Sequence, residues 1–375
     1  MMSEQPRPYS GLRILDLSQA LGAYATRLFA DLGADVVRVR SADDPLQGSP
    51  GFHFFNSRKT VVSIGDDENE QARLAELARE CQVVVYEADE RRSWLLPLLT
   101  SSLDSGVITA ISHFGLNGPY AQFAGCDLVD QAVGGIAWLT GEAGKPPLRL
   151  GGEQSAIVAS IYAAAATAAA LWDVETRGGR HIIDVSVQEA IAHSLQNTIQ
   201  MYDLAGVVAE RGGKGRDAME GVFRCEDGYV FLAAPPFMGD QWNQILAWMA
   251  ETNFADRAQL IGPEWDSRES RAGADCRHRF REVFEVFLGD KRRAGIAQEA
   301  MSRKILIAPV STVADLPTDP QLMFRSFFHA MPDIGRSILS PGAPYYLSEP
   351  VWGPQGAAAG GAEWARQFTQ DGRLS

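Results

Sequence analysis

The sequence predicts an α/β protein with a Rossmann-like large domain, built on a parallel sheet, and a smaller α+β domain. Apolar runs that can form strands alternate with helical segments through the first half of the chain. The stretch 12–40 contains strand, helix and strand in succession, which is a βαβ unit. After residue 205 this alternation stops, and a hairpin and two amphipathic helices follow. We therefore expect a large domain over 1–205, a linker over 206–221, a small domain over 222–318 and a C-terminal segment over 319–375.

Five strands are predicted before residue 113, with helices between them. The strands are Leu12–Leu17, Asp35–Arg40, Val61–Ile64, Gln82–Tyr86 and Val107–Ser112, and the helices are Tyr24–Leu32 and Glu68–Glu80. The turn after the first strand lacks GxGxxG, so a dinucleotide-binding domain is not predicted. The loop His113–Gln122 follows the fifth strand, at the edge where α/β sheets bind ligands.

Small residues dominate the stretch that follows this loop. A helix is predicted over Asp127–Thr140 and a core helix over Ala156–Trp172, because alanine favours helix and leaves room for a neighbouring backbone. A glycine turn then leads into a buried strand, Ile182–Val187.

The second half of the chain predicts the small domain. The expected elements are a hairpin over Val222–Ala233, helices near Gln241–Ala250 and Arg277–Leu288, and a strand over Ala308–Val313. Trp242 and Trp248 fit the core face of the first of these helices.

Composition limits the classes of function. The 375 residues carry a net charge of −13, which excludes a nucleic-acid surface, because a phosphate backbone requires clustered Lys and Arg. The N-terminus lacks the apolar core of a signal peptide, and the longest low-charge run, 157–171, is shorter than the roughly 20 residues of a membrane span. The four cysteines lie far apart without CxxC, which indicates reduced thiols and no metal site. We expect a cytoplasmic protein without a membrane, nucleic-acid or metal partner.

Six runs together resemble one family, the class III CoA-transferases and their racemase relatives. They are LRILDLS, GAYATRLFADLGADVVRV, ISHFGLNGPYAQFAGCDLVDQAVGGIAWLTG, the stretch 177–190, GVFRCEDGYVFLAAP and APVSTVADLPTDPQLMFR. The family includes formyl-CoA transferase, carnitine CoA-transferase and α-methylacyl-CoA racemase. The resemblance covers essentially the whole chain in order. It implies that the C-terminal segment returns to the large domain and that two subunits form a dimer of interlocked rings.

The resemblance assigns the catalytic nucleophile to a position that holds alanine here. In the transferases an aspartate attacks the acyl-CoA thioester and forms a mixed anhydride and then an enzyme-bound CoA thioester. Matching the family's basic residue and glycine to Arg149 and Gly151 places that aspartate at Ala156. A methyl group cannot form an anhydride. Glu153, three residues earlier, is a weak candidate for a substitute nucleophile.

The racemase chemistry of the family is the least expected activity. The racemases use the histidine of a Gly-His-Asp run, and here that run is Gly125-Cys126-Asp127. Their second aspartate again falls on Ala156, and the region of their glutamate, 233–237, contains no acid. The three proton-handling groups are therefore missing together.

The resemblance implies a CoA nucleotide site with mixed features. Arg38, Arg58 and Lys59 stand where relatives place basic groups near the CoA phosphates; the alternative is a set of solvated surface cations. Glu87 replaces an asparagine of many relatives, Asp89 follows it, and the acidic run 66–68 replaces a lysine. Acids repel a polyphosphate. CoA or acyl-CoA would thus be the substrate of a complex, with no permanently bound cofactor and weak binding by this chain.

Smaller features have simpler interpretations. His53 and His113 are expected to be hydrogen-bonded loop residues, and Cys126 to be a buried small residue that could line the pocket. The glycine run 212–215 resembles the family's loop over the thioester, but a plain linker explains it equally well.

Three hypotheses follow. The first is a catalytically silent subunit of a heteromeric CoA-transferase, paired with a paralogue that keeps the aspartate; benzylsuccinate CoA-transferase is a two-subunit member of the family. The second is an active homodimer that uses Glu153 or substrate-assisted chemistry. The third is a non-enzymatic protein that binds an acyl-CoA or a partner. The loss of the nucleophile together with part of the phosphate site favours the first.

Overall fold

The computed structural model describes residues 7–40, 49–64, 69–211, 216–235, 237, 239, 241–331 and 338–348. The acidic run 66–68 and the glycine run 212–215, both named above, lie outside these residues. The chain divides into two compact units, one formed by 1–209 with 326–375 and the other by 210–325.

The large unit is built on a six-stranded parallel sheet, which confirms the predicted α/β class with a Rossmann-like domain. The strands are β1 Arg13–Leu17, β2 Asp35–Val39, β3 Thr60–Val62, β4 Val83–Glu87, β5 Gly106–Ser112 and β6 Arg180–Ser186. Their spatial order is β3-β2-β1-β4-β5-β6. The order reverses between β1 and β4, so their carboxyl ends border the crevice where doubly wound folds bind ligands.

Nine α-helices connect and cover these strands in the described part of the large unit. They are α1 Ala23–Asp31, α2 Pro50–Asn56, α3 Glu70–Arg79, α4 Leu95–Ser102, α5 Asp127–Val133, α6 Ile136–Leu139, α7 Gln154–Arg177, α8 Val187–His193 and α9 Gln196–Ala205. A 3-10 turn lies at Glu90–Arg92, and a hairpin of β10 Phe328–Met331 and β11 Ile338–Pro341 belongs to the same unit.

The helix predicted over Asp127–Thr140 is two helices. Gly135 adopts φ +91, a left-handed conformation that breaks the helix and that glycine adopts without strain. At Gly134 a Cβ atom would lie 2.5 Å from Ile191 Cγ2 on α8, so this glycine allows α5 and α8 to approach closely.

Helix α7 is the core helix that the small residues predict, and it is longer than expected. Ala159 and Ala163 are fully buried, and the helix packs on β5, β6 and α1. Of the described helices it is the one long and apolar enough to cross a membrane, with a mean hydropathy of 1.6 over its most apolar window. Of that window 39% is buried, and the buried positions carry mostly small residues.

The strand that follows α7 was wrongly predicted to be buried. β6 is the edge strand of the sheet and alternates in exposure, so that Ile182 is 47% exposed while Val185 is buried. Ile182 lies on one face and Ile183 and Val185 lie on the other, and this run of apolar residues is why the pattern resembles a central strand.

The small unit contains a three-stranded antiparallel sheet of β7 Gly221–Cys225, β8 Gly228–Leu232 and β9 Ile307–Pro309. The predicted hairpin is confirmed, whereas the predicted strand over Ala308–Val313 ends early at Pro309. The helices are α10 Gln241–Glu251, α11 Arg268–Arg271, α12 Ala274–Leu288, α13 Arg293–Ser302 and α14 Pro320–Phe324, with 3-10 turns at Ala255–Leu260, Pro263–Trp265 and Leu316–Thr318. Trp242 and Trp248 are buried in the core, as predicted.

Candidate functional site

The position assigned to the nucleophile lies in the first turn of α7. Ala156 is 7% exposed and faces the core cluster that contains Ala159 and Ala163. A side chain here starts at a helix N-terminus, where backbone N–H groups favour negative charge. The alanine leaves that position without a polar atom.

A buried carboxylate that the sequence reasoning did not select lies beside Ala156. Asp127 is the aspartate of the Gly-Cys-Asp run, and its Oδ1 accepts a hydrogen bond from Ser155 N at 3.0 Å, in the first turn of α7. Its Oδ2 accepts from Gln131 Nε2 at 2.7 Å and from Arg149 NH1 at 3.0 Å. Three hydrogen-bond donors occupy lone pairs of this carboxylate, which makes it a poor nucleophile. Asp127 therefore caps α7 and fixes Arg149.

The weak substitute candidate, Glu153, is the N-cap residue of α7. It is exposed, and its side chain makes no capping hydrogen bond. Nothing in this geometry activates the carboxylate or holds it over the Ala156 position.

Arg38 and Lys59, which the resemblance places near CoA phosphates, belong to a buried charge cluster around Asp16. We define the Asp16 cluster as Asp16, Arg38 and Lys59. Lys59 Nζ lies 2.9 Å from Asp16 Oδ2, and Arg38 NH1 lies 3.8 Å from the same oxygen. All three side chains are fully buried, so the alternative of solvated surface cations is wrong for these two residues.

Further hydrogen bonds complete the Asp16 cluster. Asp16 also accepts from Ser18 Oγ at 2.5 Å and from Thr26 Oγ1 at 2.7 Å, and Lys59 Nζ donates to Ala23 O at 2.7 Å. Burial lowers the pKa of Lys59 to about 8, and Asp16 opposes that shift. For Asp16 burial acts to raise the pKa, but Lys59 and Arg38 outweigh it and hold the pKa below its usual value.

Arg58, the third residue predicted near the CoA phosphates, is not a member of the Asp16 cluster. Its backbone has φ +69, a left-handed conformation that is strained for a non-glycine residue. Its charge acts on the buried Asp31, whose pKa is raised by burial against the opposing effects of Arg27, Arg58 and Lys59. Arg27 and Asp31 form a buried ion pair at 3.3 Å.

Glu87 closes the loop between β1 and α1. Its Oε2 accepts hydrogen bonds from three successive backbone N–H groups: Gln19 at 3.1 Å, Ala20 at 2.9 Å and Leu21 at 3.1 Å. Successive N–H groups that converge in this way form an anion-binding concavity, and in Rossmann-like folds the corresponding loop meets phosphate. Here the chain's own carboxylate occupies the concavity, which we call the Glu87 nest.

A cavity of about 420 Å³ opens beside the Glu87 nest, at the carboxyl ends of β4 and β5. Its wall contains acidic, amide, guanidinium, aromatic and imidazole side chains: Gln19, Glu87, Asp89, Glu90, Arg91, His113, Phe114, Gln122 and Phe123. His113 is hydrogen-bonded as predicted, through Nδ1 to Asp130 at 2.9 Å. Two expectations are wrong: Cys126 is exposed and not among the cavity-lining residues, and His53 lies in helix α2.

Two further observations limit the chemistry of the described residues. All four cysteines are free thiols. No group of three His, Cys, Asp or Glu side chains within the described part of the chain is arranged to hold a metal ion.

Comparison with known proteins identifies one family over most of the chain. The family model of CoA-transferase family III matches residues 9–358. The subunit BbsE of succinyl-CoA:(R)-benzylsuccinate CoA-transferase from Thauera aromatica is 31% identical over 372 residues, which cover 92% of this chain and 89% of that protein. The alpha subunit of succinyl-CoA–L-malate CoA-transferase from Chloroflexus aurantiacus is 24% identical, covering 87% of this chain and 79% of its own length.

Solved structures show the same fold. A CAIB/BAIF family protein from Brucella suis superposes with a TM-score of 0.83 at 22% identity, covering 97% of this chain and all of that chain. Rv3272 from M. tuberculosis gives a TM-score of 0.72 at 19% identity, covering 92% of this chain and 95% of that chain.

Proposed function

Because this chain belongs to CoA-transferase family III, we propose that it is the catalytically silent subunit of a heteromeric CoA-transferase that moves CoA between carboxylic acids. A paralogous subunit would supply the aspartate that attacks the acyl-CoA thioester. The C–S bond of that thioester breaks, CoA leaves as a thiolate, and the acyl group passes to the partner's carboxylate as a mixed anhydride.

The observation that carries the proposal is the apolar side chain of Ala156 at the start of α7, next to a carboxylate that is already committed. Asp127 holds three hydrogen-bond donors, and Glu153 is exposed without a capping bond. Neither carboxylate has the surroundings of an activated nucleophile. Two relatives add support, since each is a subunit of a CoA-transferase.

The charged groups near the loop between β1 and α1 bind other groups of this chain, and this supports weak binding of CoA by this subunit. The Asp16 cluster and the Glu87 nest commit two cations and three N–H groups that could otherwise meet phosphates. We propose that CoA and acyl-CoA are substrates of the complex, held chiefly by the partner subunit. The complex would be an intertwined cytoplasmic dimer, with the paralogue in the cell and with a second copy when the chain is produced alone.

Co-expression with an aspartate-bearing paralogue tests this function. We expect the two chains to co-purify, and the complex to transfer CoA from succinyl-CoA to an acceptor acid. An Asp→Ala change in the paralogue should abolish transfer, whereas Glu153→Gln in this chain should leave it unchanged. Failure to co-purify would favour a non-enzymatic role. Transfer that depends on Glu153 would favour an active homodimer.

A further inference from the structure

The cavity beside the Glu87 nest contains a histidine that the proposed function does not use. His113 follows β5 directly, at the carboxyl edge of the sheet. About one fifth of its side chain is exposed, and it lines the cavity of about 420 Å³. This volume is within the range of pockets that bind small organic molecules.

The imidazole is oriented by a buried carboxylate. His113 Nδ1 lies 2.9 Å from Oδ1 and 3.0 Å from Oδ2 of Asp130 on α5, and Asp130 is fully buried. A carboxylate accepts hydrogen bonds, so Nδ1 carries the proton and donates it. Nε2 is then the acceptor of the neutral ring, and none of the hydrogen bonds among described residues uses it.

The ring is also fixed from its other side. A Cβ atom added at Gly125 would lie 2.2 Å from His113 Cγ and 2.5 Å from Nδ1, so the backbone of the 121–125 segment packs directly on the imidazole. A histidine with one nitrogen bonded to a buried carboxylate and its ring packed against backbone is held in a single orientation. This is the arrangement that a positioned proton acceptor requires.

The rest of the cavity wall limits the ligand. Phe114 and Phe123 line it, and Tyr120 joins them at ring-centroid distances of 5.9 Å and 5.4 Å. Phe123 is 60% exposed, which leaves an aromatic surface for a ligand ring. Among the described residues that line it, the charged side chains are three acids, Glu87, Asp89 and Glu90, and one cation, Arg91. An anionic ligand is therefore disfavoured.

We propose that His113 and Asp130 form a ligand site for an uncharged aromatic molecule with a hydroxyl group. The hydroxyl donates a hydrogen bond to Nε2, and the ligand ring packs on Phe114 and Phe123. His113 is the group that contacts the ligand, and Asp130 is a positioning residue that fixes the tautomer. The site does not depend on the silent-subunit proposal, because its readout is binding and not transfer of CoA.

Three probes of equal ring size test the ligand class on the full chain: 4-methylphenol, toluene and 4-methylbenzoate. Histidine ¹⁵N NMR follows the two ring nitrogens during titration. We expect His113 in the Nδ1–H tautomer and a shift of its Nε2 signal with 4-methylphenol. Toluene lacks the proton and 4-methylbenzoate carries a negative charge, so both should bind about tenfold more weakly or worse. Equal binding of the benzoate, or an Nε2–H tautomer in the free protein, would overturn the proposal.

Variants separate the site from general effects on folding. His113→Gln should weaken binding of 4-methylphenol by about tenfold or more. Gly125→Ala should do the same while both members of the pair remain, because its methyl group displaces the ring. Asp130→Asn should change the tautomer of His113. The matched control is His181→Gln, since His181 pairs with Asp173 at 2.8 Å but does not line the cavity. It should change nothing, and unchanged binding in His113→Gln and Gly125→Ala would refute the site.

Discussion

The start of α7 and the loop between β1 and α1 are joined by one buried hydrogen bond, yet their polar groups are used in opposite ways. Ser160 Oγ on α7 donates to Leu21 O in the loop at 2.6 Å. At the start of α7 the proposed loss of function is the absence of a reactive side chain, because Ala156 provides no functional group. Around the loop the charged groups are present but are satisfied within the chain: Asp16 binds Lys59, and Glu87 accepts from backbone N–H groups of the loop.

This difference shows two routes by which a site can lose a ligand. Replacement of a functional side chain by alanine removes the chemistry and changes the fold very little. Where the charged groups bind one another inside the protein, they contribute to the stability of the fold and not to ligand binding, because a buried charge is tolerated only with its partner. We therefore expect substitutions in the loop region to cost stability, and substitution at the start of α7 to cost little.

The largest effect is expected for Asp16→Asn. It would leave the cations of Arg38 and Lys59 buried without their carboxylate, and breaking a buried ion pair costs about 3–5 kcal/mol in the free energy of unfolding. Urea unfolding followed by circular dichroism measures the loss. The matched control, Asp173→Asn, weakens a partly exposed pair with Arg177 and a hydrogen bond with His181, and should cost about 1 kcal/mol or less. Equal losses in the two variants would contradict the claim that the buried Asp16 cluster contributes more to stability than a partly exposed ion pair.

The second effect is a pH dependence that originates at Lys59. Burial lowers its pKa to about 8 in the folded chain from the ordinary value of 10.5. Between these values the unfolded chain binds more protons, so the free energy of unfolding should rise with pH from about 8 to 10.5. The contribution is present above 10.5, lost as the pH falls through 8, and on the order of 3 kcal/mol. Lys59→Met should lack this rise, and parallel stability profiles for the two proteins would show that the lysine is not shifted.

A third prediction concerns Glu87→Ala. It removes the acceptor of three N–H groups, and we expect a loss of about 1–3 kcal/mol in the free energy of unfolding. The emptied nest should then bind inorganic pyrophosphate about tenfold more tightly than the parent chain. Calorimetry measures this binding. Glu90→Ala removes an exposed acid from the same cavity wall; it should leave the free energy of unfolding unchanged and should raise pyrophosphate binding far less than Glu87→Ala does. Unchanged pyrophosphate binding in Glu87→Ala would mean that the nest is not an anion site.

The smallest effect on stability is expected for Ala156→Asp. The new carboxylate would start at the N-terminus of α7, where the helix dipole offsets part of its burial, so the cost should be about 1 kcal/mol. It should not create CoA-transferase activity in the chain alone, because the Asp16 cluster and the Glu87 nest remain unchanged. Activity assays after size-exclusion chromatography check this. A gain of activity would show that the missing carboxylate was the whole defect.

The sequence predicted the sheet because parallel strands that are buried on both faces leave long apolar runs. It also predicted the hairpin of the small unit and the alanine core helix. It missed the helix break at Gly135, which depends on the left-handed backbone of that residue. It also misjudged β6, since the apolar residues Ile182, Ile183 and Val185 of this edge strand have the same pattern as those of a central one.

The candidate site was predictable only where a single residue type decides the chemistry. Ala156 cannot act as a nucleophile in any fold, so the sequence was sufficient there. Whether Arg38 and Lys59 face a ligand or Asp16 depends on contacts between β1, β2 and the segment before β3. The pairing of His113 with Asp130, seventeen positions apart on different elements, likewise follows from packing and not from spacing.

The central claim is that this chain alone contains no carboxylate that accepts an acyl group from a CoA thioester. The direct measurement is intact mass spectrometry of the purified chain after incubation with succinyl-CoA, with and without a hydroxylamine quench. We predict an unmodified protein mass and no hydroxamate on the protein itself, in the parent chain and in Glu153→Gln alike. A succinyl adduct that hydroxylamine removes, and that disappears in Glu153→Gln or Asp127→Asn, would contradict the claim.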